Sequence, residues 1–407
     1  MDRDSRFLLK CVRKYYKENS PILPDRFTRR EFGFMHFGKN MMQRHISFSN
    51  GNELWRFVAS NVPAHCYYST AYYRHPDAPT MEEKEWMGAE LIFDLDADHL
   101  EGADKMTYPE MLRHIRSEMI KLCDSYLFGD LGFDYDDVRI TFSGGRGYHA
   151  HVMMGDVLSL GSAERREIVD YVMGSGLDMD WVFPYKRVPT STFNTGIGKR
   201  TNVAKDREIP PENSGGWKKR MRNGLETVVE DFCEMDSKTL RLAYPSLKTS
   251  HYKTVEKVQN DVRSSQKMMF EKNTMATLDR TAQEMLVRVM DRDVKIRLSG
   301  EVDAPVTADI KRLIRLPHSI HGKGGLKVIP LSRDELTDFE PLEMAVPDEY
   351  SDEPVKITMR SPVDLRIKDE RFVLKGETEV PEYAAVFLIG RRYATLGLES
   401  EQERKLF

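Results

Sequence analysis

Cysteine is scarce in this chain. Four occur in 407 residues, at positions 11, 66, 123 and 233, and no two form a Cys-x-x-Cys pair. That argues against a disulfide scaffold and suits a cytoplasmic protein. Long apolar runs are missing too. No stretch reaches the roughly 20 residues of a membrane span. The charged start Met1-Asp2-Arg3-Asp4 is followed by no apolar segment of the kind a secretory signal needs. A dominant charge is also absent: 61 Lys and Arg stand against 65 Asp and Glu, for a net −4. The chain has no global field that draws it to a polyanion, although a local basic channel needs none. There is no internal repeat. Thr195-Gly196-Ile197-Gly198-Lys199-Arg200-Thr201 is not a Walker loop, because Phe193 stands where the leading glycine is required.

What is present is a globular composition, 40% hydrophobic and 31% charged. The length fits one large domain with an insertion, or two domains. The chain is organised around Leu91-Ile92-Phe93-Asp94-Leu95-Asp96. On a strand, Leu91, Phe93 and Leu95 face a core while Ile92, Asp94 and Asp96 face the other way. Carboxylates two residues apart lie roughly 6.5–7 Å apart at Cα. Two anions that close repel unless a cation lies between them. Hard divalent cations bind through one or two carboxylates plus substrate phosphates. The pattern therefore points to a metal site that positions a nucleoside triphosphate; the alternative is a solvated strand end. Asp98 and His99 read as the polar exit, with Asp98 a candidate outer group.

A second signal is Val138-Arg139-Ile140-Thr141-Phe142, then Ser143-Gly144-Gly145-Arg146-Gly147, then Tyr148-His149-Ala150-His151. It reads as strand, glycine loop, strand. The glycines let the backbone approach a ligand and offer N–H groups to phosphate oxygens. Ser143 adds a hydroxyl, Arg146 a fixed fork of charge, and His149 and His151 share a face. A tight hairpin with a partly buried histidine is the other reading. Further on, Thr307 is a good N-cap for a helix holding Ile310, Leu313 and Ile314, with Arg312 and Arg315 near its end. A polar loop from His318 to Gly325 follows, then strand Leu326–Ile329.

Elsewhere the pattern predicts a helix over 4–17, strands over 29–35 and 44–48, and a strand over 67–73. Arg30, Arg44 and His45 look exposed. Residues 80–87 read as a short helical approach and 108–128 as a helix with an apolar face. Residues 185–200 read as a polar connection, about 217–292 as charged helices, and Val294–Leu298 as a strand. A basic run over 199–222 could track a phosphate backbone, or be a solvated surface. The acidic run 334–353 looks like a linker. These readings divide the chain into an α/β core in two parts, 1–204 and 293–407, around a helical insertion over 205–292.

In this order and spacing, three segments resemble the small, catalytic subunit of archaeal and eukaryotic-type DNA primases. They are Asp94-Leu95-Asp96, Ser143 to His149, and Val302-Asp303-Ala304-Pro305-Val306-Thr307 with Arg312 to Lys323. The third segment is closer to archaeal members, and the resemblance runs from about Arg30 to about residue 393. It implies an α/β, primase-type catalytic core with a mixed or antiparallel sheet flanked by helices, plus a helical inserted subdomain. It implies that Asp94, Asp96 and Asp303 hold two Mg²⁺ or Mn²⁺ ions, and that Ser143, Arg146, His149, Arg315 and His321 grip the triphosphate. The activity implied is synthesis of short primers on a single-stranded DNA template from nucleoside triphosphates, with pyrophosphate released. The implied partner is a large subunit carrying an iron–sulfur cluster, and an archaeal member would be nucleoid-associated. Many family members carry a zinc-binding knob after the first motif. Here that region offers only His99, His114 and Cys123, so no zinc is expected. The competing functions are a primase-fold repair polymerase, a non-catalytic single-strand-binding subunit and a phosphohydrolase.

Overall fold

The computed structural model describes residues 1–97, 102, 105–195 and 198–397, with side chains excepted at 187–205. The chain divides into two compact units, 1–169 with 301–407, and 170–300. The first unit holds two four-stranded sheets. In one, Leu313–Arg315, Pro63–Ser69, Phe32–His36 and Met42–Ile46 lie side by side; in the other, Ile329–Leu331, Val138–Phe142, Gly147–Val152 and Leu91–Asp96. Every pairing in both is antiparallel.

Helices cover this unit where the apolar spacing demands it. Arg3–Glu18 starts on an Asp2 cap and buries Leu8, Cys11, Val12, Tyr15 and Tyr16. Tyr108–Lys121 opens with a Thr107/Glu110 capping box and runs on as a π-helical turn, Leu122–Phe128. Glu382–Gly390 is apolar on every face and buried from Glu382 to Ile389. A continuous core joins Val12 and Tyr16 to Phe32, Phe34, Val58, Tyr68, Ile92, Ile314 and Ile320. Ile92 is thus buried although it shares a strand face with Asp94, because that face is apolar at one end and open at the other.

Several local expectations give way to longer-range contacts. Arg30 is fully buried rather than exposed. Its guanidinium donates to the Ser69 carbonyl at 2.7 Å and to Tyr72 Oη at 2.9 Å, and it forms an ion pair with Glu90. Arg44 is paired with Glu31 at 2.9 Å. Residues 80–87 are not helical: turns lead into strand Trp86–Ala89, which pairs with Ala71–Tyr73. The acidic run is structured. Ser332 and Glu335 form a capping box for helix Arg333–Asp338, helix Pro341–Met344 follows, and Leu336, Phe339 and Leu342 are buried.

The second unit is mostly helical and contains the expected 205–292 block. Helices Gly216–Glu234, Tyr252–Glu271 and Arg280–Val289 bury Leu225, Phe232, Val258, Val262 and Leu286. Val294–Leu298 is helix, not strand. Arg280–Val289 continues through a π turn, Met290–Val294, into Lys295–Leu298. Val294 is held there against Gly224, where an added Cβ would lie 2.7 Å from a Val294 methyl. Residues 185–200 are not a connection either: Tyr185–Thr195 and Gly198–Arg207 pair as a two-stranded ribbon. Among the described residues no helix is long and apolar enough to cross a membrane.

Candidate active site

Antiparallel register builds the floor. Asp94 lies opposite His149 and Asp96 opposite Gly147, while Thr141 flanks His149 on the other side. Asp94 is half-buried between buried Phe93 and Leu95, and Asp96 is half-buried after Leu95. Gly147 is required here, because a Cβ on it would collide with the Leu95 carbonyl oxygen. Gly144 has φ +72°, and a side chain there would also press on His321 Cβ at 2.7 Å. The loop between the strands is tied down. Ser143 Oγ accepts from the Gly145 N–H at 3.2 Å, the Ala97 N–H donates to the Arg146 carbonyl at 3.2 Å, and Tyr108 Oη donates to the Gly145 carbonyl.

The wall comes from the other sheet and the segment after it. Asp303, not Thr307, caps a short helix, Ala304–Ala308. Its Oδ1 accepts from the Val306 N–H at 3.3 Å. Its own N–H donates to the Asp94 carbonyl at 3.0 Å, which fixes the segment beside the Asp94 strand. The expected helix over Ile310–Ile314 does not form. Leu313–Arg315 instead pairs with Pro63–Ser69, placing Arg315 opposite Tyr67. Arg315 Cζ lies 4.5 Å from the centre of the Tyr67 ring, and its Nη1 is 2.5 Å from His65 Nδ1. His65 Nδ1 also accepts from the Gly322 N–H at 3.3 Å, and its ring packs edge-on against His321 at 4.9 Å.

These elements enclose a cavity of about 270 Å³. Asp94, Asp96, Ser143, Arg146, His149, Arg315 and His321 all line it. Asp303 is not among the lining residues and reaches the site through the Asp94 backbone. Tyr67, Arg312, Lys323 and Arg391 line it as well, although none of them was assigned to the site from the sequence. Lys323 lies two residues beyond His321, so proximity was a usable signal. Arg391, from just beyond the buried Glu382–Gly390 helix, offered none. Its guanidinium stacks 4.6 Å from the Tyr108 ring centre. Asp98 and His99 lie outside the described residues.

The site is electropositive. Arg146, Arg312, Arg315, Lys323 and Arg391 face Asp94 and Asp96 in one cavity, an arrangement that calls for a polyanion. Burial, then repulsion from Arg391, lowers the pKa of Arg146; burial does the same to Arg315. Guanidinium groups stay charged through such shifts. The histidines do not. Burial, with neighbouring His151, Arg315 and Arg312, pushes His149 far below its usual range; burial and Arg315 do so for His321. His149 Nε2 is 3.4 Å from Asp94 Oδ1. The Nδ1 atoms of His149 and His321 are buried without a hydrogen-bond partner, which a ligand in the cavity could satisfy.

Two strand carboxylates with a third on the adjoining backbone are an all-oxygen donor set suited to a hard divalent cation. Among the described residues no three His, Cys, Asp or Glu side chains are gathered as a ready-made metal cluster. That is compatible with an ion that takes most of its ligands from phosphate and water. Cys123 is buried, and burial pushes its thiol up to about 12.

Comparison with known proteins points one way. The sequence profile of the family described as DNA primase small subunit matches residues 93–333. The DNA primase small subunit PriS of Methanocella arvoryzae is 40% identical, over 96% of this chain and 98% of that protein. That of Methanococcoides burtonii is 40% identical over 98% of this chain and its own full length. That of Picrophilus torridus is 39% identical over 93% of this chain and 94% of that protein.

Proposed function

The chain belongs to the DNA primase small-subunit family, and from that premise we propose how its cavity serves primer synthesis. The reaction is template-directed: a 3′-hydroxyl attacks the α-phosphorus of a nucleoside triphosphate, a phosphodiester bond forms and pyrophosphate leaves. The observation that carries the reading is the facing of two strand carboxylates by five cations in one cavity. Phosphoryl transfer of this kind depends on positioning and charge neutralisation more than on covalent chemistry.

In this reading Asp94, Asp96 and Asp303 hold Mg²⁺ or Mn²⁺, which when bound neutralises the triphosphate and activates the hydroxyl. Ser143 and the backbone of its loop cradle phosphate oxygens, and Arg146 and Arg315 clamp them. Neutral His149 and His321 act as hydrogen-bond donors rather than charges. Single-stranded DNA as template, nucleoside triphosphates as substrates and a large primase subunit as partner follow from the family. The free thiols of Cys11, Cys66, Cys123 and Cys233 suit a reducing cytoplasm.

His65 holds Arg315 in this scheme. Its pKa is pushed down to about 2 by burial, then by Arg315 and Lys323, so it stays a neutral acceptor at working pH. A carboxylate there would cancel the charge Arg315 offers to phosphate; an imidazole nitrogen orients it without doing so. His65→Ala is expected to raise the KM for nucleoside triphosphate about tenfold, the worth of one charge-assisted hydrogen bond. His65→Asn, which restores an acceptor near Nδ1, should recover most of it. Equal KM values in all three proteins would refute this role.

Incubation of the full chain with unprimed single-stranded DNA, labelled nucleotides and Mg²⁺ or Mn²⁺ tests the function. Oligonucleotide products that need template support the reading. Extension of a supplied primer alone, even with the large subunit added, would favour repair synthesis.

A further inference from the structure

The 170–300 unit carries a surface that the chemistry at Asp94 does not use. Two large aromatic rings stand half open on it, Trp181 at 52% and Tyr185 at 49% exposure. Trp181 ends up there on the short helix Met179–Val182, and Tyr185 begins the ribbon. Leaving this much ring surface in water is unfavourable unless something covers it. Each ring also has a cation at its face. Lys218 Nζ lies 4.5 Å from the Trp181 ring centre, and Arg207 Cζ lies 4.0 Å from that of Tyr185. Arg207 ties the two together: its Nη1 donates to the Phe183 carbonyl at 2.9 Å and pairs with Asp180, next to Trp181, at 2.9 Å.

The basic run of the sequence resolves into two parts around this surface. Arg207 and Arg222 are buried and structural, Arg222 donating to the Pro210 carbonyl at 2.6 Å and pairing with Glu226 at 3.1 Å. Lys218 is half-buried on Trp181, and Lys219 is exposed. In sequence the ribbon adjoining Tyr185 carries Lys186, Arg187, Lys199, Arg200, Lys205 and Arg207 with one acid, Asp206, and Glu208 follows directly and pairs with Lys186 at 2.8 Å. Its two strands pair only with each other among the described residues.

We infer that this face is a binding surface for single-stranded nucleic acid, with bases stacked on Trp181 and Tyr185 and phosphates met by Lys218 and Lys219. The alternation of ring and cation selects the occupant. An acidic peptide would satisfy the cations and leave the rings open. A duplex offers phosphates but keeps its base faces stacked inside. A single strand supplies both, and base–aromatic stacking tolerates any sequence, which template binding requires. The choice of DNA as ligand rests on the primase reading; the surface does not depend on the carboxylate site.

The test is equilibrium binding of a fluorescein-labelled oligo-dT to the full chain by anisotropy, at low salt and then across a salt series. The double variant Trp181→Ala/Tyr185→Ala is expected to bind about tenfold or more weakly, since each base–aromatic stack contributes about 1–3 kcal/mol. Trp181→Phe/Tyr185→Phe should bind nearly as well as wild type, which a general loss of folding would not allow. Lys218→Glu should weaken binding and flatten its salt dependence. Asp94→Asn is expected to lose synthesis and keep oligo-dT binding, so failure of the catalytic reading and failure of this one are separable. Unchanged affinity in the double alanine variant overturns the inference. So does an unchanged oligo-dT affinity accompanied by lost binding of poly-glutamate, which would make the face a protein-docking site.

Discussion

Asp94→Asn is expected to cut template-directed nucleotide incorporation by about 10²–10³-fold, the scale on which a single preorganised electrostatic contact acts in such sites. The substitution keeps the side chain's shape and removes its charge. The strand should therefore keep its register with Gly147–Val152, whose partner at this point is His149. Asparagine still offers a carbonyl oxygen, but a neutral amide is a poor ligand for a hard cation among triphosphate oxygens. The cavity then has five cations against one carboxylate and still attracts nucleotide. The loss should accordingly appear in kcat more than in KM. Single-turnover incorporation on a primed template measures it. A variant within tenfold of wild type would remove Asp94 from the catalytic assignment. Thermal melting of the same preparation separates lost chemistry from lost fold.

Arg30→Met is expected to destabilise the fold by about 3–5 kcal/mol, because it strands a buried carboxylate. Glu90 is only 2% exposed and lies between Arg30 and His151, whose Nδ1 is 2.9 Å from its Oε2. Burial by itself would raise the Glu90 pKa. The Arg30 charge and the His151 hydrogen bond win, and hold it at about 2 against an ordinary 4.5. A carboxylate lowered in the fold binds fewer protons there than in the unfolded chain. Its contribution is therefore complete above about pH 4.5 and is lost as pH falls towards 2. The stability gap between wild type and Arg30→Met should narrow over that interval. Arg30→Met/Glu90→Gln should recover part of the loss at neutral pH, since no charge is left unpaired. Melting temperatures of the three proteins, compared from about pH 2 to about pH 7, decide it. A gap that does not change with pH would mean that Arg30 acts through packing alone.

The sequence by itself determined the three strands and the glycine loop at the centre of the site. Alternation set Leu91, Phe93 and Leu95 apart from Asp94 and Asp96, and glycine marked the places where a Cβ has no room. These are short-range effects, decided by neighbours within a few residues. The helices Arg3–Glu18, Tyr108–Lys121 and Gly216–Glu234 were legible for the same reason. The family motifs then pointed to seven residues that line one cavity, and to Asp303 beside it.

Only tertiary structure decided the rest. Arg30 looked exposed because nothing within its own strand pairs with it; Glu90, sixty residues on, does. Leu313–Arg315 carried helix-compatible spacing, but an antiparallel partner at Pro63–Ser69 drew it into a sheet and turned Arg315 towards His65. His65 sits in an apolar-looking strand, and Arg391 follows a helix some 70 residues beyond His321, so neither could be assigned to the site from local pattern. The acidic run became two short helices, the first of them capped, because Leu336, Phe339 and Leu342 found a core to enter. In each case the outcome depended on which distant surface was available to bury a group or share its charge. Period, propensity and turn chemistry carry no record of that choice, because the partner belongs to another part of the chain.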